Sequence, residues 1–175
     1  MLEAARALRL PDVIGPGLEI LFCGINPGLY SAATGHHFAR PGNRFWPALH
    51  RSGLTPRQFR PEEEQDLLAL RLGITDLAGR ATASADELAL DELVAGGKAL
   101  LVKLRRYRPR YLAVLGIGAY RTAFRQPKAL LGLQPDLIAG VKVWVLPSPS
   151  GLNAHYSLAD LASALRALAV QSTEQ

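Results

Sequence analysis

The feature that most constrains this chain is the segment Leu18 to Cys23 (LEILFC), a nearly continuous apolar run that stops at Gly24. A strand without polar alternation must be covered on both faces, which is the situation of a strand inside a parallel sheet. Three similar runs follow at Ile74 to Leu77, Tyr111 to Leu115 and Val141 to Leu146. Helical patterns lie between them. Asn43 to Arg51 places Phe45, Trp46 and Leu49 at helical spacing. Another helix is expected from Pro61, with Glu62, Glu63 and Glu64 at its positive end and Gly73 as its stop. Asp91 to Arg106 aligns Leu93, Leu100, Leu101 and Leu104 on one face, and a short helix is expected over Ala119 to Phe124. The last helix begins at Ser157, with Asp160 placed to cap it and Leu158, Leu161, Leu165 and Leu168 as its buried stripe. Strands alternating with helices predict a three-layer α/β/α fold around a mainly parallel four-stranded sheet, with residues 1–175 forming a single domain.

Composition narrows the function classes. No apolar run approaches the length of a membrane span, and the charged N-terminal MLEAARALRL does not read as a signal peptide, so a cytoplasmic monomer is expected. Cys23 is the single cysteine, which excludes an internal disulfide and a four-cysteine metal or iron–sulfur site within the chain. The net charge of +5 permits a nucleic-acid partner without proving one. His36 and His37 are adjacent and would point apart on an extended backbone, a poor chelate; no metal or other cofactor is expected.

Two loops follow expected strand ends, where open α/β sheets place their ligands. The first reads GINPGLYSAATGHHFARPGNRFW and the second LPSPSGLNAHYS. The first is neither a dinucleotide G-x-G-x-x-G pattern nor a P-loop. Together they resemble the mismatch-specific branch of the uracil-DNA glycosylase superfamily, which includes the thymine-DNA glycosylases. The first family motif, G-I-N-P-G, matches Gly24 to Gly28; the second, N-P-S-G-L, matches Ser148 to Leu152; and F-A-x-P-x-N-R-F-W matches Phe38 to Trp46.

The resemblance implies a monofunctional glycosylase acting on double-stranded DNA with a G·U or G·T mismatch. Such an enzyme extrudes the target nucleotide, because the C1′ atom is hidden in the base stack. By resemblance, Asn26 positions the attacking water, Phe38 is the aromatic platform for the flipped base, and Ile25, Ser31 and Ser148 surround that base. Gly151, Leu152 and Asn153 match the wedge that fills the gap left in the duplex. His155 and Arg40 are expected phosphate contacts. No lysine stands in the first motif, so no Schiff-base nucleophile is evident, and the expected products are free base and an abasic site.

Two departures from the family pattern bear on mechanism. Ser148 stands where the second motif often has Asn, and a serine reaches less far towards a base. Asp91 stands where relatives often carry an uncharged or basic residue, and a carboxylate is a stronger base than the Asn26 amide. Asp91 is therefore a catalytic candidate, against the alternative that it only complements its helix dipole. Asp76, after the second strand, is another candidate acid. Three other functions compete: a phosphate-handling α/β enzyme, a serine hydrolase using Ser150 and His155, and a non-catalytic DNA-damage binder. The first lacks a P-loop lysine, and the second lacks the G-x-S-x-G elbow.

Overall fold

A computed structural model describes residues 2–174; Met1 and Gln175 of the expected domain lie outside them. The main elements are β1 (Ile20–Gly24), α1 (Leu29–Thr34), α2 (Phe45–Arg51), β2 (Leu72–Asp76), α3 (Leu90–Tyr107), β3 (Tyr111–Leu115), α4 (Ile117–Ala123), β4 (Gly132–Leu133), β5 (Lys142–Leu146) and α5 (Leu158–Thr173). The expected helix at Pro61 is a 3-10 segment, Pro61–Leu70, ended by Arg71 in a left-handed conformation. Ser157 caps α5 as its sequence suggests: its Oγ accepts from the Asp160 amide at 3.1 Å, and its own amide donates to Asp160 at 2.8 Å.

The sheet has five strands in the order β2-β1-β3-β5-β4, not the four expected. Four are parallel; β4 adds an antiparallel edge, pairing Gly132 with Val145 and Leu133 with Trp144. A strand of only two residues leaves no periodicity to read in the sequence. Along β1, Ile20 and Phe22 face one core with α2 and α5, while Leu21 and Cys23 face the other with α3 and α4. That double coverage explains the unbroken apolar run.

The sheet order reverses direction beside β1, with β2 on one side and β3 on the other. The carboxyl ends of β1 and β3 splay their connections there, creating the crevice typical of such a switch point. Glycines in α3 bring it close to the segment after β2 and to α4. A Cβ on Gly96 would lie 2.2 Å from the carbonyl oxygen of Leu77, one residue past β2. Gly96→Ala is therefore expected to lower stability by about 1–3 kcal/mol through overpacking, although alanine is the better helix former by about 1 kcal/mol. Urea denaturation checks this, and an unchanged midpoint would show that α3 can slide away freely.

Candidate active site

A cavity of about 540 Å³ opens at the carboxyl ends of β1, β2, β3 and β5. That volume suits a small ligand or one extruded nucleotide. Its walls come from the two loops singled out in the sequence, from the turn after β3, and from residues 82–85.

Asn26 sits on the cavity wall with its amide orientation fixed. Nδ2 donates to the carbonyl oxygen of Arg80 and to Oγ1 of Thr82, both at 2.8 Å, and approaches the Pro27 carbonyl at 3.2 Å. Thr82 gives its own hydroxyl proton to the Ser84 carbonyl, so its oxygen is free to accept from Asn26. A flipped amide would set its oxygen against these acceptors. The network therefore leaves Oδ1 as an acceptor at the cavity.

Asp76 ends β2 and faces the same cavity, with only 10% of its side chain exposed. Gly24 makes this approach feasible: a Cβ there would lie 2.6 Å from Asp76 Oδ1 and 3.3 Å from the Phe38 ring. Burial pushes the Asp76 carboxyl up to about 6, against the opposing pull of His37. A carboxylate with that value, in a cavity that also presents a fixed amide acceptor, is suited to take a proton from water near neutral pH.

Phe38 stacks on Phe45 with ring centroids 4.2 Å apart. Its φ is +53°, a strained conformation for a bulky side chain. The backbone is pinned on either side of it. Ala39 donates its amide to Ser31 Oγ at 3.0 Å, the His37 amide donates to Glu64 at 2.8 Å, and the Trp46 indole donates to the His37 carbonyl at 3.1 Å. Strain of order 1–3 kcal/mol held by such fixings marks a place where the fold aims a side chain. Phe38 is aimed into the cavity.

The second loop is tied to the first by Arg44, which the sequence reading did not single out. Its Nη1 donates to the carbonyls of Ser150, Asn153 and Tyr156 at 3.2, 2.9 and 2.8 Å, and its amide donates to Pro149 at 2.8 Å. Gly151 packs on Gly42, where a Cβ would stand 2.6 Å from the Gly42 carbonyl oxygen. Asn153 closes the turn from within: its Oδ1 accepts from the His155 and Tyr156 amides, and its Nδ2 donates to the Ser148 carbonyl. Ser148 Oγ accepts from the Ser150 amide at 3.4 Å. This bracing presents Leu152 at the cavity mouth with 73% of its surface exposed.

Among the other sequence candidates, Ile25, Ser31, Arg40, Ser148, Asn153 and His155 line the cavity; Gly151 does not. Ser31 is buried, and its hydroxyl holds the Phe38 loop. Asp91 is corrected by the structure: it is exposed in the first turn of α3 and does not line the cavity. The carboxylate at the cavity is Asp76, recognisable as the acid closing the GIT run of β2. The adjacent histidines do have an acid beside them. Glu64 lies 3.8 Å from His36 Nδ1 and 3.2 Å from His37 Nδ1, yet no cluster among the described residues has the makings of a metal site.

Comparison with known proteins agrees with this architecture. Residues 11–170 match the family model described as the uracil DNA glycosylase superfamily. A solution NMR structure from Methanosarcina acetivorans, described as a candidate uracil DNA glycosylase, is similar with a TM-score of 0.57 and 22% identity. The match covers 93% of this chain and 98% of that one. At that identity the likeness speaks for the fold alone. No helix among the described residues is long and apolar enough to cross a membrane.

Proposed function

The chain belongs to the uracil DNA glycosylase superfamily, whose members remove uracil from DNA in repair, and from that premise we propose that it is a monofunctional glycosylase for uracil mispaired with guanine in double-stranded DNA. The observation that carries this reading is the convergence of Asn26, Asp76 and Phe38 on one nucleotide-sized cavity, with Leu152 exposed at its mouth. Leu152 enters the duplex as the target nucleotide leaves it, and a mismatch favours the exchange because less pairing energy is lost. The extruded base lies against Phe38. Asn26 Oδ1 accepts a hydrogen bond from the attacking water and holds it in line with C1′. As the C1′–N1 bond breaks, its electron pair leaves with the uracil, whose anion takes a proton from solvent, to which Asp76 later returns the one it accepts. The water oxygen bonds to C1′, and its proton passes to Asp76. Uracil and an abasic site are the products.

No lysine lines the cavity among the described residues, which supports hydrolysis without strand cleavage. Thymine opposite guanine is a second, slower substrate in this reading. The test is single-turnover base release from labelled duplexes bearing G·U, A·U or G·T, beside single-stranded uracil. The expected result is alkali-dependent cleavage, faster at G·U than at A·U by about tenfold or more, since about 1.4 kcal/mol of pairing difference is a tenfold effect. Nicking without alkali would contradict the monofunctional assignment. Binding to G·U duplexes with no release from any substrate would leave a damage binder.

A further inference from the structure

Resting on the reading of Asp76 as the proton acceptor, we infer that His37, clamped by Glu64, is the positioning residue that orients the Asp76 carboxylate and holds it ionised for catalysis.

The backbone and ring of His37 are fixed at all polar atoms but one. The amide donates to Glu64 Oε2 at 2.8 Å, the carbonyl accepts from Trp46, and Nδ1 lies 3.2 Å from Glu64 Oε1. The remaining atom, Nε2, is buried without a hydrogen-bond partner and stands 3.6 Å from Asp76 Oδ2. A buried ring nitrogen left unmatched is unfavourable unless something nearby completes it. The Asp76 carboxylate is the group in place to do so, and a small movement of either side chain closes the contact. With Oδ2 directed at His37, Oδ1 is left over Gly24 on the cavity wall.

The same arrangement explains Glu64, whose side chain is 6% exposed and directs both oxygens at His37. A carboxylate buried that deeply is favoured by positive charge beside it, which a second proton on the His37 ring would supply, with the His36 ring 3.8 Å away on the other side. Burial works against that charge, but the Glu64 hydrogen bond and the Asp76 charge outweigh it, so the His37 pKa is raised. Asp76 is faced by His37 from the loop after α1, Asp12 from the segment before β1, Lys103 from α3 and Glu64 from the 3-10 segment. The Cys23 thiol also lies close, pushed up by burial. Lys103 pairs with Asp12 at 2.7 Å, and both bond to Thr75, so those two charges largely offset each other. His37 is then the cation that counts against protonation of Asp76.

The experiment has an arm that does not need glycosylase activity. In ¹⁵N-labelled protein, the His37 ring is expected to carry protons on both nitrogens at pH 7 and to lose one at lower pH in Asp76→Asn and in Glu64→Gln. The second arm is the pH dependence of single-turnover release in His37→Gln and Glu64→Gln. Loss of the cation lets the Asp76 carboxyl rise further, so the acid limb is expected to move up by about one pH unit, with about fivefold loss at pH 6 beyond any change in the plateau. A His37 ring neutral at pH 7, or variants slowed equally at every pH with an unshifted limb, would overturn the inference. Full activity in Asp76→Asn would instead remove the underlying reading of Asp76, whatever the ring protonation shows.

Discussion

Replacing Asp76 with Asn is expected to slow single-turnover uracil release at pH 8 by about 10²–10⁴-fold, the range for loss of a positioned general base, while DNA binding stays within a few-fold. The same variant is expected to be the more stable protein at that pH. Burial raises the folded-state pKa of Asp76 from 3.8 to about 6. For a group raised in this direction, the favourable contribution to stability is fully present below pH 3.8 and is lost as pH rises through about 6. Above that window the native protein holds an ionised carboxylate at a destabilisation of up to about 3 kcal/mol, using about 1.4 kcal/mol per pKa unit. Asn keeps the shape and lacks the charge. Thermal melts of both proteins at pH 4 and pH 8 should therefore diverge as pH rises. The wild-type rate should fall with acid through about pH 6, following the protonation of Asp76. Undiminished release in the variant would remove Asp76 from the chemistry, and a stability gap equal at both pH values would remove the burial argument.

That trade between stability and activity also separates what the sequence disclosed from what it hid. Strands β1, β3 and β5 are visible as apolar runs because both of their faces are covered. β3 keeps its expected bounds, while the ends of β1 and β5 shift by a residue or two because a strand boundary depends on its neighbours' hydrogen bonds. β4 is invisible because its two residues pair only through the geometry of β5. In the site, Asn26 and Phe38 are legible because they sit inside a contiguous motif. Asp76 and Glu64 belong to other segments and meet the motif only in three dimensions. Glu64 is disguised as one of three acids in a first helical turn, where solvated carboxylates are common. Asp91 carries the same ambiguity in the opposite sense: its position invites a catalytic role, yet it is exposed at the start of α3. Strand topology is the better guide, since β2 lies beside β1 and pairs Asp76 with Gly24.

Arg44 shows how a residue outside both motif cores governs them. Its guanidinium gathers carbonyls of Ser150, Asn153 and Tyr156 through a single nitrogen, with Gly151 at 3.4 Å from the other. Hydrogen bonds from a charged donor are worth about 1.5–3 kcal/mol each, though bonds sharing one group do not add. Arg44→Met is expected to release the second loop and to lower single-turnover release from a G·U duplex by about 100-fold, as a displacement near 1 Å can do. Arg44→Lys should recover part of the loss, because an ammonium carries three donors of its own but lacks the second nitrogen that approaches Gly151. The effect should be selective. Leu152 assists by entering a duplex, so release from single-stranded uracil, which needs no wedge, should fall much less. Proteolysis should meanwhile become faster between residues 150 and 156. Equal loss on both DNA forms would mean that Arg44 supports the cavity as a whole and not the wedge. Unchanged release from the duplex would mean that the Gly42–Gly151 contact and the Asn153 turn hold Leu152 in place without it.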